Sequence, residues 1–279
     1  KNATGYDMRQ LFIGGEGTLG FIVEATMQLA RTPKNLTVMV LGVPEFRAIM
    51  EVLNAFQSAL DLTAFEFFSD RAVQLVTARG DVARPFETAT PYYALLEFEA
   101  TTEEVTEAAM AVFEACVEKG WALEGVISQS ETQLKNLWRL REDISETISV
   151  FTPYKNDISV VVSKVPDFLE DIDRIVSAEY PTFEIIWFGH IGDGNLHLNI
   201  LKPADLDKAV FFERCAVVNK WVFETVQKYN GSISAEHGVG MTKKAYLNYS
   251  RSPEEIAYMK AIKQVFDPNN VMNPGKIFD

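Results

Sequence analysis

Histidine and cysteine are scarce in this 279-residue chain, which has three of the first and two of the second. Cys116 and Cys215 lie in segments patterned as amphipathic helices, and two isolated thiols exclude both a disulfide framework and a thiolate metal site. They read as buried core thiols. Basic residues are outnumbered, 26 Lys and Arg against 39 Asp and Glu, giving a formal charge of -13. Without a local basic patch, that charge repels phosphate backbones and anionic lipid surfaces, so no nucleic-acid partner is expected. Apolar runs never approach the ~18 residues of a membrane-spanning helix. The polar bias of disordered chains is absent too, since 47% of residues are hydrophobic and 23% charged. The chain opens at Lys1-Asn2-Ala3-Thr4-Gly5 without an initiator Met. It is expected to be a fragment, so the lack of a targeting signal says nothing about its parent.

What is present is an alternation of strand and helix patterns. Leu36 to Val43 is a β-rich run ending in Val43-Pro44-Glu45-Phe46, and helical spacing follows through Ile49, Leu53 and Phe56. Ile158 to Val165 repeats the arrangement, ending in Val165-Pro166-Asp167-Phe168 before Leu169, Ile172 and Ile175. Proline and then an acidic residue suit a first helical turn, because the missing N–H had no partner and the helix dipole favours negative charge. The second match predicts a duplicated unit. Tyr92 to Glu99 and Leu123 to Ser128 read as strands around a helix at Glu103 to Lys119. Thr132 to Val150 and Asp205 to Tyr229 are the longest helical patterns. The expected fold is therefore α+β, a mostly antiparallel sheet of split βαβ (ferredoxin-like) units with helices on one face, plus a C-terminal helical segment.

All three histidines fall in two glycine-rich segments. In Phe188-Gly-His190-Ile-Gly-Asp-Gly-Asn-Leu-His197-Leu-Asn199, Asp193-Gly194 predicts a two-residue type I′ hairpin turn. That register sets His190 opposite His197, with Cβ atoms roughly 4.5–5.5 Å apart, so both imidazoles could grip one ion. Period two puts Asn199 on the face of His197. The bland alternative is a glycine-rich hairpin with two satisfied surface histidines. In Ser234-Ala-Glu236-His237-Gly238-Val-Gly240, a carboxylate and an imidazole precede a backbone that must bend or be closely approached. His190, His197 and Glu236 make an open three-ligand set for zinc or manganese. Neighbours on extended backbone point apart, so if Glu236 faces the ion, His237 is free to act as a base. The reverse assignment stays open.

Further upstream, Trp138, Arg141 and Ser145 share a helical pattern, and the next strand offers Lys155. Arg clamps a carboxylate through two parallel bonds and Lys adds a point charge. Surface pairing of Arg141 with Glu142 or Glu146 competes with that reading. Leu11 to Gly20, by spacing alone, is a glycine turn between strands.

Three strings in order, His190-x-Gly-Asp-Gly-Asn-x-His197, Glu236-His237-Gly-x-Gly and Asp267-Pro-Asn-Asn-Val-Met-Asn273-Pro-Gly-Lys276, resemble the C-terminal half of FAD-linked D-2-hydroxyacid dehydrogenases. These are vanillyl-alcohol oxidase type flavoproteins, among them D-lactate dehydrogenases, the glycolate oxidase large subunit and D-2-hydroxyglutarate dehydrogenase. The resemblance covers Lys1 to Phe278. It implies an FAD-dependent oxidation of a small D-2-hydroxy acid (2-hydroxyglutarate, lactate or glycolate), with a divalent metal assisting deprotonation, His237 as base and hydride passing to flavin. It implies cofactor contacts at Gly15, Glu16, Gly17, Thr18, Gly20 and Asn273, although Gly15 stands where the family often has Ser. Arg141, Ser145, Lys155 and Asn199 correspond to substrate positions, with Ser145 replacing a usual Thr. Lys155 points to the hydroxyglutarate branch, since the lactate and glycolate branches tend to lack it. Residues 1–35 are then the end of the FAD-binding domain, 36–230 the substrate-binding cap and 231–279 a segment returning to the flavin. A cytoplasmic enzyme, a homodimer and an electron acceptor such as electron-transfer flavoprotein, quinone or cytochrome complete the expectation. A metallohydrolase would use the same His, His and Glu around water. It would not need the flavin-side patches. A silent metal- or anion-binding module is the other rival.

Overall fold

The structure is a computed structural model that describes residues 3–278. Its first unit runs β1 (Leu36–Val43), α1 (Phe46–Gln57), β2 (Leu62–Ser69), α2 (Asp70–Thr77), β3 (Tyr92–Glu99), α3 (Glu103–Glu118) and β4 (Glu124–Ile127). Helices α4 (Glu131–Glu142) and α5 (Ile144–Ser149) lead to the second unit, β5 (Tyr154–Ser159), α6 (Val165–Glu179), β6 (Ile185–Gly189), β7 (Asn195–Ile200) and α7 (Lys208–Lys228). Helix α8 (Pro253–Phe266) follows. The sheet has seven strands in the order β4-β1-β3-β2-β6-β7-β5. Every pairing in it is antiparallel.

The duplicated unit expected from the repeated Val-Pro-acid-Phe string is visible in that order. β4-β1-β3-β2 is the arrangement of a split βαβ unit. β6-β7-β5 repeats it, with a single bridge from Ser159 to Ser232 in place of a fourth strand. The units join edge to edge through β2 and β6, where Phe67 faces Gly189 and Phe68 faces Phe188. The two strings sit differently on their helices, because the first precedes α1 whereas Pro166 and Asp167 lie inside the first turn of α6. The predicted strand at Ile158 to Val165 is corrected. Pairing runs from Tyr154 to Ser159, after which Val160 N–H turns to the Gly194 carbonyl and a 3-10 turn, Val162–Lys164, leads into α6. The predicted helix from Thr132 to Val150 is broken at Asp143, which caps α4 and precedes α5.

One sheet face packs on the large helices α1, α3, α6 and α7, as expected, through Leu41, Phe67, Leu96 and Leu198. The other face is not bare, which departs from a strictly one-sided arrangement. Helices α2, α4 and α5 cover Val38, Val40, Tyr93 and Leu95 there. They do not roof β5 and β7. Period two sends Lys155, Asp157, His197 and Asn199 to that open part, because Asp157 pairs with His197 and Lys155 with Asn199. Among the described residues no helix is long and apolar enough to cross a membrane.

Candidate active site

The open part of the sheet carries the histidines, by a register other than the predicted one. The loop is not a two-residue turn on Asp193-Gly194. Ile191–Asp193 form a 3-10 turn, only Gly194 takes positive φ (76°), and Phe188, not His190, faces His197. Ile191 is fully buried and anchors the longer loop. A Cβ on Gly194 would collide with the Val160 carbonyl. His190 continues past β6 on the same face as Phe188, so it meets His197 diagonally, their ring centroids 5.9 Å apart. The pair is real although the predicted turn is not.

Three imidazoles converge on one carboxylate. Glu236 Oε1 lies 3.9 Å from His190 Nε2, 3.5 Å from His197 Nε2 and 3.8 Å from His237 Nε2. The far nitrogens face buried carboxylates. His190 Nδ1 is 2.6 Å from Glu66 Oε1, and His197 Nδ1 is 3.7 Å from Asp157 Oδ1. Asp157 also holds the loop, since its Oδ2 accepts the backbone N–H of Glu236 and of His237, each at 3.0 Å. Lys243 donates to the Asp157 carbonyl at 3.1 Å from below. The hydrogen bond to Glu66 raises His190 above its ordinary pKa of 6.5 against the effect of burial. Burial, then the charge of Arg141, pushes His197 down to about 4. Burial acts to raise Asp157, but the two backbone donors and the neighbouring cations win and hold it low.

Donor atoms of Asp157, His197, Glu236 and His237 lie within 4.8 Å of one another and could hold a cation. The sequence-derived set takes His190 in place of Asp157 and His237. Asp157 Oδ2 is committed to two N–H groups, whereas its buried Oδ1 has no hydrogen-bond partner among the described residues. His237, 55% exposed, competes with Glu236 on nearly equal geometry.

The cavity beside these groups holds about 180 Å³ and is lined by every substrate-side residue the sequence singled out, Arg141, Ser145, Lys155 and Asn199 included. Arg141 does not pair with Glu142 or Glu146. Its Nε donates to Glu66 Oε2 at 2.9 Å and its guanidinium lies 4.7 Å from the centre of the Phe188 ring. Ser145 belongs to α5 rather than to the helix of Arg141, yet the break at Asp143 keeps both at the cavity. Asn199 is buried and its Nδ2 has no partner among the described residues, a donor left for a bound group. Sequence reasoning missed Glu66, Asp157 and Phe188. Glu66 had a usable signal, as a lone charge in the apolar run Leu62-Thr-Ala-Phe-Glu-Phe-Phe-Ser69.

The predicted flavin-side patches pack on one another. Glu16 accepts N–H from Val239 (2.7 Å) and Gly240 (2.8 Å), Asn273 Nδ2 donates to the Glu16 carbonyl (2.6 Å), and Thr18 Oγ1 donates to the Gly15 carbonyl (2.6 Å). Buried Lys263 ties Thr18, Asp267 and Met272 together. Both carboxylate oxygens of Glu16 are committed within the protein, whereas Asn273 is exposed and keeps its Oδ1. Gly14, Gly240 and Gly275 take positive φ and face open space. Gly17, at φ 71°, abuts Asn273, and Gly20 abuts Phe12. The extended stretch beyond exposes Phe21, Val23 and Leu29 almost completely.

The cavity thus lies beside a histidine and carboxylate cluster on a duplicated α+β unit. The chain matches the family of FAD linked oxidases, C-terminal domain, over residues 32–277, and belongs to it. It is 74% identical over 278 residues to the D-2-hydroxyglutarate dehydrogenase of Stutzerimonas stutzeri (strain A1501), covering 100% of this chain and 60% of that protein. Identity to the D-2-hydroxyglutarate dehydrogenase of Xanthomonas citri pv. viticola is 51% over 279 residues, covering 100% and 59%. The chain thus spans about three fifths of the length of these relatives. The solved 4-ethylphenol oxidase from Gulosibacter chungangensis shares the fold with a TM-score of 0.63 at 14% identity, over 90% of this chain and 55% of that one.

Proposed function

We propose that this chain is the substrate-binding half of an FAD-dependent dehydrogenase that oxidises D-2-hydroxyglutarate to the 2-oxo acid. The observation that carries the reading is the make-up of one cavity, in which Arg141, Lys155, Ser145 and the unpaired amide of Asn199 accompany His190, His197, Glu236 and His237. Two cations suit a substrate with two carboxylates better than lactate or glycolate. The names of the relatives support the same choice.

In this reading Arg141 and Lys155 orient the carboxylates, and Ser145 and Asn199 supply neutral hydrogen bonds. The donor set fits a divalent ion, zinc or manganese, held by His190, His197 and Glu236, because the inner carboxylates at Nδ1 free both Nε2 atoms. Such an ion supplies Lewis acidity toward the substrate hydroxyl. His237 takes the hydroxyl proton at Nε2. The open glycine backbone at Gly14, Gly240 and Gly275 fits the approach of FAD, which supplies hydride acceptance. Residues 1–35 and 231–279 then form the flavin side and residues 36–230 the cap, supported by the clamp between Glu16 and the 239–240 loop.

The test uses the full-length enzyme containing this chain. It should carry flavin and reduce a dye with D-2-hydroxyglutarate at a higher kcat/KM than with D-lactate. Purification without any flavin would favour a metallohydrolase, and equal or faster turnover of D-lactate would overturn the substrate choice.

A further inference from the structure

Glu66 is the only charged residue of β2, is 5% exposed, and lies behind the cavity rather than lining it. Its two oxygens serve two cavity residues of different kinds. Oε2 accepts the Arg141 Nε–H at 2.9 Å, and Oε1 is 2.6 Å from His190 Nδ1. The register that pairs Phe67 with Gly189 and Phe68 with Phe188 brings Glu66 alongside His190 one step further on.

The geometry points to Glu66 as a positioning residue that fixes the tautomer of His190 while Arg141 anchors it, an inference that rests on the reading of the site given above. The reason is a count of donors and acceptors. Arg141 Nε only donates, and a carboxylate accepts on both oxygens. Neutral His190 must therefore carry its proton on Nδ1, which leaves the Nε2 lone pair facing Glu236. An amide of the same shape cannot do this. In Glu66→Gln the oxygen has to stay on Arg141, because the amide NH₂ cannot meet a second donor. The NH₂ group then faces His190 Nδ1, which must accept, and the imidazole proton moves to Nε2. A histidine protonated at Nε2 has no lone pair there for a metal ion. Removing the anchor reverses the logic. In Glu66→Gln/Arg141→Met the amide is free to turn its oxygen to His190, and proton and lone pair return to their original places.

Selective ¹⁵N-histidine labelling of the metal-free full-length protein, with the His190 signals assigned by their loss in His190→Asn, reads the tautomer directly at a pH where His190 is neutral. Nδ1–H is expected in the wild type, Nε2–H in Glu66→Gln, and Nδ1–H again in the double variant. Zinc titration should show affinity lowered about 10- to 100-fold in Glu66→Gln and largely restored in the double variant. The double variant buries no unpaired guanidinium, so it also reports on the switch if Glu66→Gln folds poorly. An unchanged tautomer in Glu66→Gln, or a double variant left with Nε2–H, overturns the inference. A wild type that binds no zinc refutes the metal site instead, while the tautomer comparison stands or falls on its own spectra.

Discussion

Arg141→Lys tests the substrate side by keeping charge and removing geometry. Arg141 is 8% exposed, its Nε is committed to Glu66, and its guanidinium carbon lies 4.7 Å from the centre of the Phe188 ring. Those contacts fix its plane and leave the Nη edge for a carboxylate. A hydrogen bond to a charged group contributes about 1.5–3 kcal/mol, while the ring contact, internal to the protein, enters only by fixing the guanidinium plane. Lysine retains one point donor of the fork, so the expected net loss is that of one such bond, about 1.5–3 kcal/mol, roughly 10- to 150-fold in affinity. The assay is steady-state dye reduction by the flavin-loaded full-length enzyme, with kcat and KM for D-2-hydroxyglutarate resolved and metal content measured alongside. KM should rise by that factor with metal retained. An unchanged KM removes Arg141 from substrate binding. Metal lost with KM unchanged would show that Arg141 acts only through Glu66 and His190.

Lys155→Met should raise KM for D-2-hydroxyglutarate more than for D-lactate, and equal effects on the two would deny Lys155 the second carboxylate. Glu236→Gln should lose metal along with activity, whereas His237→Asn should keep metal and flavin and lose on the order of 10²–10⁴ in turnover. The opposite pattern of metal content makes His237 the ligand. In the chelated protein, His197 resists protonation down to about 4 against an ordinary 6.5. The unfolded chain therefore binds the extra proton first, and stability present above the ordinary value should fall as pH drops from 6.5 toward about 4. Denaturant melts across that window check it, and His197→Phe should flatten the slope.

Two strands of the first half were legible in the sequence because they are largely apolar runs, whereas β2 and α2 were not read. Leu36 to Val43 and Tyr92 to Glu99 were predicted to the residue. β5 was misplaced for a physical reason. Its sequence, Tyr-Lys-Asn-Asp-Ile-Ser, is polar because one face of it lines the site, whereas the β-branched run just beyond looks more like a strand and turns into α6 instead. The site residues were legible through glycine, histidine and spacing. Their supports were not, since Glu66 lies 75 residues from Arg141 and 124 from His190, and Asp157 lies 79 from Glu236. Only the sheet order brings such partners together.

The duplication also accounts for where the site forms. In the first unit the second sheet face is roofed by α2, α4 and α5 over a largely apolar row in which Val38, Val40, Phe68, Tyr93 and Leu95 are fully buried. The same face of β5 and β7 in the second unit has no roof, yet carries Asp157, His197 and Asn199, each at most 8% exposed. A buried polar group without a partner costs about 1–3 kcal/mol, so such a row persists only when its members satisfy one another or a bound group. Asp157 does the first with Oδ2 alone, through the Glu236–His237 loop, and leaves its Oδ1 without a partner among the described residues. Asn199 awaits the second. Glu66 stands on the strand where roofed and open halves meet, and Arg141 reaches it from the end of the roof. The cavity is thus a seam, with a cation from one half, imidazoles from the other and a loop from the C-terminal segment. Two buried carboxylates hold that seam together, Glu66 gripping Arg141 and His190 at once and Asp157 holding the Glu236–His237 loop.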